Sequence, residues 1–286
     1  MSNTQHLHDF TTQVRRDILR MVHAVNSGHP GGSLGCAEFF TVLYQNILER
    51  KPGFDMDGIG EDLFFLSNGH ISPVFYSVLA RSGYFPVSEL ATFRKLNTRL
   101  QGHPTTHEGL PGVRVASGSL GQGLSVAIGA AQAKKLNKDS HLVYALTGDG
   151  ELQEGQNWEA IMYASAKKVD NLIATVDLNG QQIDGSTDEV LNMGSIKAKF
   201  EAFDWDVLEI KEKLFQYDLK NAENFRLQMD DIKDKKQLAD LIKVLQNARE
   251  LKNIIRLQGE DELLDLLDFY KLNQLLKEVQ RRLDTL

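Results

Sequence analysis

The chain alternates short apolar runs of strand length with longer stretches patterned at helical spacing, and glycine-bearing polar turns separate them. Leu63-Phe-Phe-Leu66, His141-Leu-Val-Tyr-Ala-Leu-Thr147 and Leu172-Ile-Ala-Thr-Val176 are the apolar runs, and they read as buried strands. Val14, Ile18, Met21, Val22 and Val25 share one helical face and predict a helix from about Asp9 to Val25. Asn26-Ser-Gly-His-Pro-Gly-Gly32 breaks it, and a second helix is expected from about Gly35 to Leu48. Further helices are expected over 73–82, from Pro86, from Leu124 to about Lys135, and from about Asn157 to Lys168. A last strand is expected around Trp205 to Ile210. Strands alternating with helices predict an α/β fold with a doubly wound, mainly parallel sheet.

The pattern changes near residue 210. All six prolines, and every glycine except Gly259, precede residue 211. Beyond it, Leu238, Leu241, Ile242 and Leu245 follow helical spacing, and Leu272, Leu275, Leu276, Val279 and Leu283 repeat it. The expected organisation is therefore an α/β domain over 1–210 and a charged, amphipathic α-helical segment over 211–286. No fixed-period repeat is visible.

Charge divides at the same place. Acidic and basic residues balance after 210, so the net charge of -7 belongs to the first domain and disfavours a general nucleic-acid role. The single cysteine, Cys36, excludes an intramolecular disulfide and fits a reducing compartment. No apolar run approaches the ~18 residues of a membrane span, and the first residues lack the basic and apolar regions of a secretory signal. A cytoplasmic protein, with no membrane and no nucleic-acid partner, is the expectation.

Candidate chemistry centres on Gly148-Asp149-Gly150 and Asn179. Each follows an apolar run, and a helical stretch lies between them. A right-handed strand–helix–strand crossover would bring both to the carboxyl ends of parallel strands, where open α/β sheets bind ligands. Glycine amides can approach a phosphate closely, but an aspartate would repel it. The combination makes sense with a cation between them, held by the hard oxygen donors that Mg2+ or Ca2+ requires. Taken singly, a Gly-Asp-Gly after a strand is more often only a turn.

Three of the eight histidines sit beside glycine in expected loops: His29 in Ser-Gly-His-Pro-Gly-Gly, His70 in Ser-Asn-Gly-His, and His103 in Gln-Gly-His-Pro. Each alone is more often a solvated or structural histidine. Together they form a set able to bond phosphate oxygens or substrate hydroxyls and to shuttle protons. Gly118-Ser-Leu-Gly-Gln-Gly123 precedes a helix and could offer backbone amides to a phosphate or ring. Its glycine spacing is not the dinucleotide fingerprint, and no nucleotide triphosphate loop occurs. Glu154 reads as a surface acid in the first helical turn, and no zinc-ligand spacing occurs.

In order along the chain, Asn26-Ser-Gly-His-Pro-Gly-Gly, Leu66-Ser-Asn-Gly-His70, Gln101-Gly-His-Pro, Gly118-Ser-Leu-Gly-Gln-Gly and Gly148-Asp-Gly-Glu-Leu-Gln-Glu-Gly stand with Asn179-Gly-Gln-Gln-Ile-Asp-Gly185. Together they closely resemble the diphosphate-type domain of the thiamin diphosphate-binding fold in transketolase, in the form encoded as a separate N-terminal subunit. The resemblance covers nearly all of 1–210. It implies thiamin diphosphate and Mg2+ (or Ca2+) as cofactors. Asp149 and Asn179 are implied as side-chain metal ligands, with the Gln181 carbonyl as a third. Gly150 and Asn179 are implied at the diphosphate, and Gly118 and Leu120 at the aminopyrimidine. His29, His70 and His103 would meet cofactor and sugar substrate, and Glu154 would lie at a subunit interface joining paired active sites.

The resemblance further implies a partner, a C-terminal transketolase subunit whose pyrimidine-binding domain supplies the activating glutamate, and self-association of the pair. The pair would transfer a two-carbon ketol unit between sugar phosphates in the pentose phosphate pathway. One departure stands against this: residues 211–286 contain no histidine and one glycine, so they cannot form the family's glycine-rich, histidine-bearing loop. The alternative is a catalytically inactive cofactor-binding or assembly module. Deoxyxylulose-phosphate synthase, which uses the same cofactor, ranks lower because Glu151-Leu-Gln-Glu-Gly-Gln-Asn-Trp-Glu159 is closer to transketolase.

Overall fold

The computed structural model describes residues 3–51 and 53–209, built around a three-stranded parallel sheet. β1 (Leu63–Leu66), β2 (Val143–Gly148) and β3 (Leu172–Asp177) lie side by side in chain order. Leu63 pairs with Val143, and Val143 with Leu172. Every residue of β1 and β2 is buried, which is why their sequences are continuously apolar rather than alternating. β3 is wetter, and Ile173 is 46% exposed. The parallel α/β sheet expected from the sequence is what the structure shows.

Helices α1 (Asn3–Val25), α2 (Pro30–Gly35), α3 (Ala37–Val42), α4 (Ser72–Arg81), α5 (Gly123–Leu136), α6 (Gly155–Ala166), α7 (Thr187–Leu191) and α8 (Ile196–Ala202) accompany the sheet. Val14, Ile18 and Met21 are buried along α1, as the periodicity requires. Phe40 from α3, Phe64 from β1 and Phe75 from α4 form one aromatic cluster. Phe64 lies 5.4 Å from Phe40 and 5.6 Å from Phe75 between ring centroids.

Three expectations change. The single helix expected from about Gly35 to Leu48 is two short helices interrupted at Cys36, followed by a π turn at Leu43–Ile47. Helical backbone begins early because Pro30 is pre-set for a first helical turn. The segment from Pro86 is a short 3-10 helix, Val87–Thr92. The strand expected around Trp205 to Ile210 does not form over 205–209. A strand needs a neighbouring ladder for its backbone groups, whereas Trp205 is tied back to α6. Its indole donates to the Ile161 carbonyl at 3.1 Å and its ring stands perpendicular to Phe200. The compact unit is Met1–Trp205. The expected helical segment over 211–286 lies outside the described residues.

Asp17 on α1 is 4% exposed and ties that helix to α4. It accepts from Arg81 at 2.5 and 3.0 Å and from the Ser77 hydroxyl at 2.9 Å. Replacing Asp17 with Ala strands the Arg81 charge, and a loss of about 3 kcal/mol is expected. Denaturant unfolding of the two proteins measures it, and a loss below about 1 kcal/mol contradicts the assignment.

Candidate functional site

Loops converge at the carboxyl ends of the three strands. Asp149 follows β2 directly, and its amide donates to the Asp177 carbonyl at the end of β3 at 3.1 Å. The Asp149 carboxylate accepts from the Gly150 amide at 2.9 Å and the Gly180 amide at 2.7 Å. Asn179 donates from Nδ2 to Asp177 at 3.0 Å, while its Oδ1 accepts from the Gln181 amide at 2.9 Å. Beyond it, the chain folds into a small antiparallel hairpin of β4 (Gln181–Gln182) and β5 (Gly185–Ser186). Gly150 lets that hairpin close over the turn. A Cβ there would lie 2.7 Å from the Gln182 Cβ and 3.1 Å from the Gln181 carbonyl oxygen. Asp149, Gly150, Asn179 and Gln181, far apart in sequence, thus meet in one place.

The electrostatics of this corner are incomplete. Asp149 is 1% exposed, and burial pushes its pKa up to about 6. The Gly180 and Gly150 amides oppose that rise, and the neighbouring Asp177 charge adds to it. Asp177 is also raised by burial, against hydrogen bonds from Asn179 and Cys36. Among the described residues no basic side chain pairs with either acid. A divalent ion would reverse this penalty. Carboxylate, carboxamide and carbonyl oxygens are the hard donors that Mg2+ or Ca2+ takes, and the Asn179 oxygen keeps a second lone pair. No group of three or more His, Cys, Asp or Glu side chains is arranged for a metal among the described residues, so a metal here would have to draw on amide and carbonyl oxygens as well.

The three loop histidines meet at the neighbouring strand end. His29 precedes α2, His70 sits in a 3-10 turn (Gly69–Ile71) just after β1, and their rings are 5.2 Å apart, edge to face. His70 is lowered to about 4 by burial, then by the His29 and His103 charges. Burial, Arg94 and His103 lower His29, and burial and Arg94 lower the more exposed His103. These imidazoles are therefore neutral at neutral pH, each with one donor and one acceptor nitrogen. Gly118, at φ +121°, packs its bare Cα against His103, where a Cβ would come within 2.7 Å of the imidazole. The Leu120 carbonyl accepts from Gln156 at 3.2 Å. Nearby, Asn68 Oδ1 and Ser117 Oγ are buried with no hydrogen-bond partner, which leaves them for a polar ligand.

Glu154 is exposed at the start of α6, with its Cβ against Gly121, where an added Cβ would come within 2.9 Å. Two of the amides that Gly118–Gly123 could offer are already spent. The Gly121 amide donates to Glu151 at 2.8 Å and the Gly123 amide to Ser67 at 3.0 Å, so neither is available to a phosphate. Glu151, Ser67, Asp177 and Arg94 went unread as site residues. Glu151 was hidden in what looked like an ordinary acidic first turn, and Asp177 in the last position of an apolar strand. Only the place of Ser67 at a strand end gave any signal.

The family described as transketolase, thiamine diphosphate binding domain, matches residues 8–244, past the point near 210 where the sequence pattern changes. An apulose-4-phosphate transketolase subunit from Phocaeicola vulgatus is 38% identical over 196 residues, which are 68% of this chain and 69% of that protein. The 6-deoxy-6-sulfo-D-fructose transketolase subunit SqwG of a Clostridium species is 37% identical over 200 residues, 69% of this chain and 71% of that one. The crystal structure of transketolase from Campylobacter jejuni superposes with a TM-score of 0.66 at 36% identity, covering 72% of this chain and 33% of that one. The chain thus spans about a third of the length of the solved transketolase it matches. No helix among the described residues is long and apolar enough to cross a membrane.

The His70 shift carries a pH dependence. Between pH 6.5 and about 4 the unfolded chain binds a proton at this position that the folded site refuses. Stability is therefore expected to fall as pH drops through that window and to level off below it. Denaturant unfolding across the window checks this against His70→Gln, which is expected to flatten the dependence; an unchanged slope counts against a dry, neutral His70.

Proposed function

This chain belongs to the transketolase family through its thiamine diphosphate binding domain, and we propose that it is the N-terminal subunit of a two-subunit transketolase. The observation that carries the proposal is the unpaired, buried Asp149 meeting Asn179 and Gln181 at one strand end, beside three neutral histidines at the next. Asp149, Asn179 and the Gln181 carbonyl would hold Mg2+ (or Ca2+), with Gly150 and Asn179 at the diphosphate. Gly118 and Leu120 would border the aminopyrimidine. Thiamin diphosphate, when bound, supplies the electron sink for two-carbon ketol transfer.

His29, His70 and His103 supply neutral imidazoles, able to accept a proton from a substrate hydroxyl and to donate to a carbonyl oxygen. Uncharged, they add no positive charge to repel a bound cation. Glu154, exposed at the start of α6, would face a second copy across a subunit interface. The C-terminal partner would bring the pyrimidine-binding domain, and the pair would self-associate. The substrates proposed are sugar phosphates, and the setting the cytoplasm and the pentose phosphate pathway. Relatives named for apulose-4-phosphate and for 6-deoxy-6-sulfo-D-fructose make the sugar the property to test first.

Mixing the chain with its partner subunit, Mg2+ and thiamin diphosphate is expected to give ketol transfer from a ketose phosphate to an aldose phosphate. Cofactor binding without turnover favours the inactive module instead. In Asp149→Asn the shape stays and the charge goes, so Mg2+-dependent cofactor affinity is expected to fall by at least about a hundredfold, beyond the range of outer-shell changes. Its stability without metal is expected to fall modestly, because Asn keeps one acceptor oxygen and its NH2 would face the Gly150 or Gly180 amide, which offsets the relief of removing a burial-penalised charge. Calorimetry reads the first and thermal unfolding the second. Retained affinity contradicts the metal assignment.

A further inference from the structure

Glu151 bonds to three separate segments that wall the site. Its Oε1 accepts from the Ser67 hydroxyl at 2.5 Å and the Gly121 amide at 2.8 Å, and its Oε2 accepts from the Gly148 amide at 3.1 Å. The Ser67 oxygen in turn accepts from the Gly123 amide at 3.0 Å. Ser67 follows β1, Gly121 and Gly123 lead into α5, and Gly148 ends β2. Glu151 is 2% exposed and Ser67 fully buried, so water cannot substitute for either. The Glu151 backbone is itself pinned, its carbonyl accepting from Asn157 Nδ2 at 2.7 Å.

An acid in so dry a place is costly unless its donors are ionic or numerous. Three donors on two oxygens is a demand that only a carboxylate meets. Glutamine has one acceptor oxygen, and its NH2 would face a buried N–H group.

We propose that Glu151 is a positioning residue for cofactor binding, whose carboxylate sets the spacing of Ser67, Gly121 and Gly148 and so preassembles the walls of the cofactor cradle. The inference rests on the reading of this site as one for thiamin diphosphate. The hydrogen bonds of the Glu151 carboxylate go to none of the proposed ligand-binding side chains. It acts through the residues its partners carry: His70 three positions after Ser67, Gly118 and Leu120 ahead of Gly121, and Asp149 after Gly148. Preorganisation of this kind lowers the ordering cost that binding would otherwise meet.

The test uses the whole chain as Glu151→Gln, as Ser67→Ala, and as Leu79→Ala, a fully buried α4 core position. Each protein is measured for its thermal midpoint, for thiamin diphosphate affinity by calorimetry in Mg2+, and with partner subunit for the KM of cofactor against kcat. Glu151→Gln is expected to weaken affinity by at least about tenfold, and Ser67→Ala by about threefold, with kcat recovered at saturating cofactor. Leu79→Ala is expected to lower the midpoint without a comparable loss of affinity. Wild-type affinity in Glu151→Gln, or an equal loss in Leu79→Ala at a matched midpoint, overturns the inference. Should Glu151→Gln fail to fold, Ser67→Ala decides, and unchanged affinity there overturns it. A wild-type chain that takes up no thiamin diphosphate even with its partner subunit removes the site reading itself, and this inference with it.

Discussion

Loops that converge on the end of a parallel sheet bury backbone N–H groups where water cannot reach them, and each such group needs an acceptor. In this protein, buried carboxylates meet that need. Asp149 accepts from Gly150 and Gly180. Glu151 accepts from Gly121 and Gly148, and Ser67 relays the pairing to Gly123. Losing either acid would leave two amides unpaired in a dry place, so the loops and their acids form one assembly.

The same arrangement sets the charge of the site. Acids that satisfy buried amides are dry, and dryness raises their proton affinity, as Asp149 shows. At the neighbouring strand end, dryness and the Arg94 charge work on His29 and His103 in the opposite sense, lowering them, and His70 follows by burial. One corner therefore favours a cation, and the other presents neutral imidazoles. A metal-bridged diphosphate at the first and a reacting sugar at the second, as proposed, would follow the polarity that the loops impose.

Much of the framework was legible because burial on both faces leaves an uninterrupted apolar run. Leu63–Leu66 and the Val143–Gly148 strand stood out for that reason, as did the helix face of Val14, Ile18 and Met21. Local signals failed where a neighbour decided the outcome. Trp205 and the residues after it carry strand-forming side chains, yet the Trp205 indole is spent on the Ile161 carbonyl. Cys36 interrupts a stretch with helical periodicity, and its thiol bonds to Asp177, an acid more than a hundred residues away. The 181–186 hairpin was invisible because two-residue strands carry no periodicity.

By itself, the sequence determined the family, the order of strands and helices, and the identity of Asp149, Asn179 and the three loop histidines as candidate groups. These are matters of residue type and spacing, and five ordered motifs record them redundantly. What tertiary structure alone decided is which amides are spent and which acids are dry. Gly121 looked as free as Gly118 until Glu151 was placed against it, and nothing in the sequence marked Glu151 as the acid that Ser67 closes over. Hydrogen-bond partnership and desolvation depend on which distant residues pack together, and in one chain no local pattern encodes that.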